Sequence, residues 1–367
     1  MARNQRLTKE EIQEDKFIEG VLKVYAFLQE NLRTIVIIVG VILVAVVGYA
    51  AYYQNQENVR TEAAVALRQA SEAYQTAEDS LFDTEKLAES EESLNTAQTQ
   101  LQEVFEKYPN TSFSDKARYQ YAKTLYYQQN YPEARLQFQQ IIDQHQPENQ
   151  IYTLYAQKSI GSTYEQEGDY EKAIAAYQAK AFPPTPQLSP EIRKFVLASA
   201  KFNQALAHEK SGNPDAARAA YKEIMDEFRT TLEAGLAEKS RELIEDAKIV
   251  IAAIGETLDI SNAQKLEDEK RSYEAYVAYT DAIRNYKVSK DIAGGLSSEL
   301  RKQIGNFEKQ AMEVITSIQN ARRADDEERE SSALYSYDLV VEFEKLGLSR
   351  RLYEYALLHY KRLESVQ

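Results

Sequence analysis

The chain reads as an all-α protein, with one membrane-length helix near its N-terminus followed by a solenoid of paired helices and a more divergent helical extension. Three observations carry that reading. Residues 34–53 (TIVIIVGVILVAVVGYAAYY) are uncharged and almost wholly apolar in a chain of mean hydropathy -0.56. From Val59 onward, small and aromatic residues recur at helical offsets with almost no alternation of the β type. A paired-helix pattern then returns several times along the sequence.

Residues 1–33 form a leader in which Ile12, Phe17, Ile18, Val21, Leu22, Tyr25, Leu28 and Leu32 fall close to a helical period. An amphipathic helix is predicted there. It suits the inner membrane surface, the helices of a partner, or simply an elbow leading into the span, since its six basic and six acidic residues favour no anionic lipid.

Residues 34–53 are the predicted transmembrane helix. A run of about 20 residues rises about 30 Å, which matches the hydrocarbon thickness of a bilayer. The apolar core of a cleaved signal is shorter, and here the run ends in Tyr49, Tyr52 and Tyr53, aromatics suited to a membrane interface. Arg3, Arg6, Lys9, Lys16, Lys23 and Arg33 precede it, whereas Arg60 and Arg68 are the nearby cations after it. This bias predicts a cytoplasmic N-terminus and an extracytoplasmic, periplasmic C-terminal part, anchored in a bacterial inner membrane.

Residues 54–254 are the predicted array, read as helices of about 12 to 20 residues with short breaks. Its clearest unit is YAQKSIGSTYEQEGDYEKAIAAYQ, Tyr155 to Gln178. Gly161 and Ala173 are small because two helices must cross closely there. Gly168 provides a left-handed helix end, Asp169 can cap the next helix, and Tyr164, Tyr170 and Tyr177 supply buried surface. The pattern returns around Ala122, Leu125, Ala134, Phe138 and Ile141, and again around Ala205, Gly212, Pro214, Ala217 and Tyr221. A degenerate unit surrounds Ala97, Leu101 and Val104. Between two good units, AFPPTPQLSP (Ala181 to Pro190) is predicted as an extended, stiff excursion where the array can bend.

Residues 255–367 are the predicted helical extension, either divergent repeats or a separate helical region. Tyr273 to Tyr286 and Leu334 to Leu363 read as amphipathic helices, with breaks at AGGLSS (Ala293 to Ser298) and ADDEERESS (Ala324 to Ser332). Leu352, Tyr355, Leu358 and Tyr360 are expected either to cap the solenoid or to meet a partner.

Composition narrows the function. The formal charge of -14 argues against nucleic acid as a partner, and the absence of Cys excludes disulfides and thiolate metal sites. His145, His208 and His359 lie far apart and form no metal-binding motif, while no phosphate-cradling glycine loop occurs. His208 takes the packing position of Tyr164, and the acidic run Asp325 to Glu330 lacks calcium-loop spacing. No catalytic, cofactor or metal site is therefore expected, nor a small-molecule substrate. What remains is surface. In such arrays the first helix of each unit lines the inner face, which brings Tyr119, Lys123, Tyr126, Tyr127, Tyr155, Lys158 and Phe202 to one groove. Aromatic rings with nearby ammonium groups suit an extended peptide or a partner helix, where apolar contact supplies affinity and the ammonium groups meet carboxylates or backbone carbonyls.

The spacings in IGSTYEQEGDYEKAIAAY resemble the tetratricopeptide repeat. With the leader and span, the layout resembles the YfgM-type ancillary subunits of the bacterial SecYEG translocon. That resemblance implies a non-enzymatic scaffold binding translocon or chaperone partners, though the extension beyond residue 254 exceeds what that family normally carries. The segment YPNTSFSDKARYQYAKTLYYQQNYPEA is also similar to outer-membrane assembly and Tol-associated repeat proteins. A structural accessory subunit of a respiratory, photosynthetic or envelope complex is the alternative.

Overall fold

The computed structural model describes residues 9–81, 87–144, 149–326 and 329–365, among which there is no β-strand. The side chains of Lys9, Ile12, Lys16, Phe17, Ile18 and Val21, and all of Arg3, Arg6 and His145, fall outside the described set.

Helix α1 (Lys9–Leu81) is 73 residues long and joins the leader, the apolar run and the first helix of the array without a break. Nothing stops it, because Gln54 to Asn58 contain neither proline nor a capping glycine. From Val36 onward it is long and apolar enough, by length and composition, to cross a membrane, with mean hydropathy 2.4 in its most apolar stretch and none of that stretch buried. Beyond Val59 the same helix turns one face inward. Ala63, Leu67, Ala70 and Tyr74 pack with Leu94, Ala97, Leu101 and Val104 of α2 (Leu87–Lys107). The degenerate unit around Ala97 thus takes its first helix from the tail of α1.

Three further hairpins stack on this one: α3 (Ser112–Tyr127) with α4 (Tyr131–Gln144), α5 (Gln150–Gln166) with α6 (Tyr170–Tyr177), and α7 (Pro190–Lys210) with α8 (Pro214–Ile254). Their close crossings are as the spacing demands. A methyl on Gly161 would stand 2.5 Å from Cε1 of Tyr177, and Ala173 is fully buried. Gly168 has φ +78°, and the Asp169 carboxylate accepts from the Lys172 backbone N–H to cap α6. The proline segment is bound rather than projecting. Phe182 and Thr185 are buried, Gln150 Oε1 accepts the N–H groups of Gln187 and Leu188, and Arg193 donates to the Pro183 carbonyl.

Helix lengths depart from the expected 12 to 20 residues, for α8 runs 41 residues and leaves the fourth hairpin behind. Its one glycine, Gly235, does not end it, because the methyl groups of Leu346 fill the space where a side chain would stand. The far half of α8 carries α9 (Ser261–Asp268), α10 (Ser272–Ala293), α11 (Ser298–Asp326) and α12 (Glu330–Val341). A 3-10 turn (Phe343–Leu346) then reverses the chain into α13 (Arg350–Ser365), which returns to the fourth hairpin.

One device recurs in both halves. A tyrosine of the second helix donates its phenol to a carboxylate twelve residues earlier: Tyr177 to Glu165 at 2.9 Å, Tyr221 to Glu209 at 2.7 Å, Tyr279 to Glu267 at 2.8 Å and Tyr337 to Asp325 at 2.9 Å. Between each pair sits a fully buried alanine: Ala173, Ala217, Ala275 and Ala333. The hairpin turns of the first three use a left-handed residue, Gly168, Gly212 and Lys270. Pairs α9–α10 and α11–α12 are therefore hairpins of the same construction as the array. Lys270 in place of glycine hides this in the sequence.

Candidate partner-binding groove

Helices α3, α5 and α7 carry the residues expected at the groove. Tyr119 packs its ring between repeats, 5.6 Å from Phe138, 5.8 Å from Tyr152 and 6.0 Å from Tyr155. Its hydroxyl lies 3.3 Å from Ser159 Oγ, and burial pushes its pKa up to about 12. Tyr119 and Tyr155 are thus brought into direct contact, much of each ring serving the junction between hairpins.

Lys123 lies over two rings, its Nζ 4.8 Å from the centre of Tyr126 and 4.5 Å from that of Tyr127. Tyr126 in turn meets Tyr127 and Tyr131 edge-on at 5.7 and 5.6 Å. The Tyr127 phenol donates to Glu78 of α1, which also accepts from Tyr74 at 2.9 Å. That carboxylate was not foreseen. Nothing in the local sequence of α1 marks Glu78, and only its position opposite α3 gives it a role.

Lys158 donates to the hydroxyl of Ser199 on the next inner helix. Burial lowers the pKa of both Lys123 and Lys158, and the Lys158 charge adds to the effect at Lys123. Among the described residues neither ammonium forms an ion pair, although Glu78 is near enough to act on Lys123. The neighbouring carboxylates are already engaged. Glu165 accepts from Tyr177 and from Lys210 at 2.6 Å, while Glu209 accepts from Tyr221 and Arg362 and lies 2.8 Å from His359 Nδ1. Lys123 and Lys158 thus stand outside the ion pairs of an acidic protein among the described residues.

Phe202 sits at the far end, apart from the Lys123 cluster. Its ring is 5.5 Å from Tyr221 and, on α13, 6.5 Å from Tyr355 and 5.7 Å from His359. Nearer the start of α7 a hollow of about 540 Å³ opens, lined by Ile151 and Tyr155 of α5, Ile192 and Phe195 of α7, and Leu348 and Arg351 ahead of and within α13. The lining apolar residues are partly exposed, Ile192 at 40% and Phe195 at 42%. Sequence spacing could not place this hollow, because one wall comes from a helix more than a hundred residues downstream.

Comparison with known families agrees with the geometry. Residues 25–182 match the tetratricopeptide repeat-like domain, and residues 199–231 match the tetratricopeptide repeat. The chain carries tetratricopeptide-like repeats over these residues. The first match begins ahead of the apolar run, so the membrane-length part of α1 and the first three tetratricopeptide-like hairpins fall within one family domain. No match to a curated protein was found.

Proposed function

We propose that the protein is a membrane-anchored, non-enzymatic scaffold whose repeats hold acidic segments of protein partners on the extracytoplasmic side. The carrying observation is the pair Lys123 and Lys158. Two ammonium groups are held half-buried, Lys123 over two rings with Glu78 near but not ion-paired and Lys158 on the Ser199 hydroxyl, an arrangement that costs desolvation until a ligand supplies further negative charge. Tyr126 and Tyr127 flank Lys123 with their rings, and farther along Phe202 meets Tyr355 of α13. By its layout the chain resembles an ancillary translocon subunit, which makes a chaperone or emerging client the leading partner.

A second reading, an accessory subunit of another large membrane complex, draws on α1. Leu22, Val24, Tyr25, Phe27, Leu28 and Leu32 are exposed ahead of the span, so the helix offers more apolar surface than a bilayer requires. That surplus suits contact with an integral partner. Co-purification in mild detergent separates the two: recovery of the translocon with a chaperone supports the first, and a stoichiometric respiratory, photosynthetic or envelope complex supports the second. Lys123→Gln with Lys158→Gln is expected to release the bound partner while leaving helicity and membrane association intact. Retention of the partner at wild-type level rejects the groove. A reporter on the last residue tests the proposed topology, since cytosolic activity would place the array on the wrong side.

A further inference from the structure

Helix α13 occupies the place that the first helix of a fifth repeat would take, although it follows the fourth hairpin only after the whole second half of the chain. Each inner helix has a fully buried alanine at one station: Ala117 in α3, Ala156 in α5, Ala200 in α7 and Ala356 in α13. The residue two positions beyond it touches the residue just ahead of the next helix's alanine. Tyr119 thus meets Tyr155 at 6.0 Å, Lys158 donates to Ser199, and Phe202 meets Tyr355 at 6.5 Å. The series continues unbroken through α13. By the same register Leu358 stands at the station of Tyr119, Lys158 and Phe202, and it is 63% exposed, with Tyr355 at 56%. Ile151, Phe195 and Arg351 likewise share one station on α5, α7 and α13, and all three line the hollow.

We propose that α13 is the last inner helix of the partner groove, and that the groove takes an extended segment, acidic at one end and apolar at the other. The acidic end crosses Lys123 and Lys158; the apolar end enters the hollow and contacts Tyr355 and Leu358. This polarity follows from the charges. Lys123 and Lys158, neither in an ion pair among the described residues, lie at the α3–α5 end, whereas the lining of the hollow joins Ile151, Ile192, Phe195 and Leu348 to Arg350 and Arg351, whose charges Glu191, Asp338 and Glu344 offset. A 540 Å³ space admits a few side chains rather than a whole helix of about 10–12 Å diameter, which favours an extended occupant.

The inference rests on the groove reading, and the test separates them. A fluorescein-labelled peptide with a glutamate run followed by a leucine and phenylalanine run is titrated against the full chain in detergent micelles. Tyr355→Ser with Leu358→Ser is expected to weaken binding by roughly tenfold or more, as is Lys123→Gln with Lys158→Gln. Both residues of the α13 pair are exposed, so circular dichroism should show the fold retained. If the lysine pair weakens binding and the α13 pair does not, α13 is no part of the groove, and the groove itself survives. Loss with the α13 pair alone overturns the acidic polarity. No binding to the wild-type chain, or binding indifferent to both pairs, overturns the groove reading and this one with it.

Discussion

Gly161 shows how little room a single crossing allows, since any Cβ there would meet the Tyr177 ring at 2.5 to 2.8 Å. Gly161→Ala is expected to cost about 1–3 kcal/mol, read as a lower urea midpoint at unchanged m-value. This position was legible from spacing alone, because a mid-helix glycine set opposite a later alanine and tyrosine marks a crossing too close for a side chain. Lys158 was legible only as a surface cation, yet its environment makes it a liability for stability. Burial lowers its pKa from the usual 10.5, so the folded chain holds this proton less tightly than the unfolded chain. Stability therefore rises with pH as the folded group deprotonates before the unfolded one does. Lys158→Met should raise the melting temperature at pH 7, and the gain should shrink as the pH climbs toward the unfolded value. A melting temperature that falls at pH 7 would show that the Ser199 hydrogen bond outweighs the desolvation.

At the scale of elements, continuity matters more than the repeat pattern. Helix α1 passes from apolar run to first repeat without a hinge, so the array is mounted on the membrane-length segment as one rigid rod of about 110 Å. Helix α8 does the same at the other end, belonging to the fourth hairpin through Ala217 and Tyr221 and to the second half through Ile244 and Ala247. Periodicity reports which face of a helix is apolar, but not which neighbour covers it, and both helices change neighbours midway. Helix α13 depends on Ala356, which is fully buried against the fourth hairpin. Ala356→Leu should lift the helix off. The expected signature is faster amide exchange in α13 and the first half of α8, with α3 to α6 protected as before; uniform exchange through the whole chain would show that α13 is not a separable element.

Across the whole molecule, buried tyrosines run through the core of both halves, and they make it sensitive to alkali. Tyr119 in the first half and Tyr276 in the second are both pushed by burial to about 12, against 10 for a free phenol. Above pH 10 the folded state holds protons that the unfolded chain has released, so stability is complete below 10 and is lost as pH rises through 12. Circular dichroism melts from about pH 8 to about pH 12 should show that decline in both halves together, and a flat profile would mean the phenols are more exposed than their packing implies. The order of amino acids was enough to determine the apolar run, the helical class and the close crossings, since each follows from local period and side-chain size. The Tyr to carboxylate pairs, the role of Glu78, the shared helices and the placement of α13 were decided by tertiary structure. Those contacts join residues brought together only when hairpins stack, and no local spacing encodes which distant helix fills the last place in the stack.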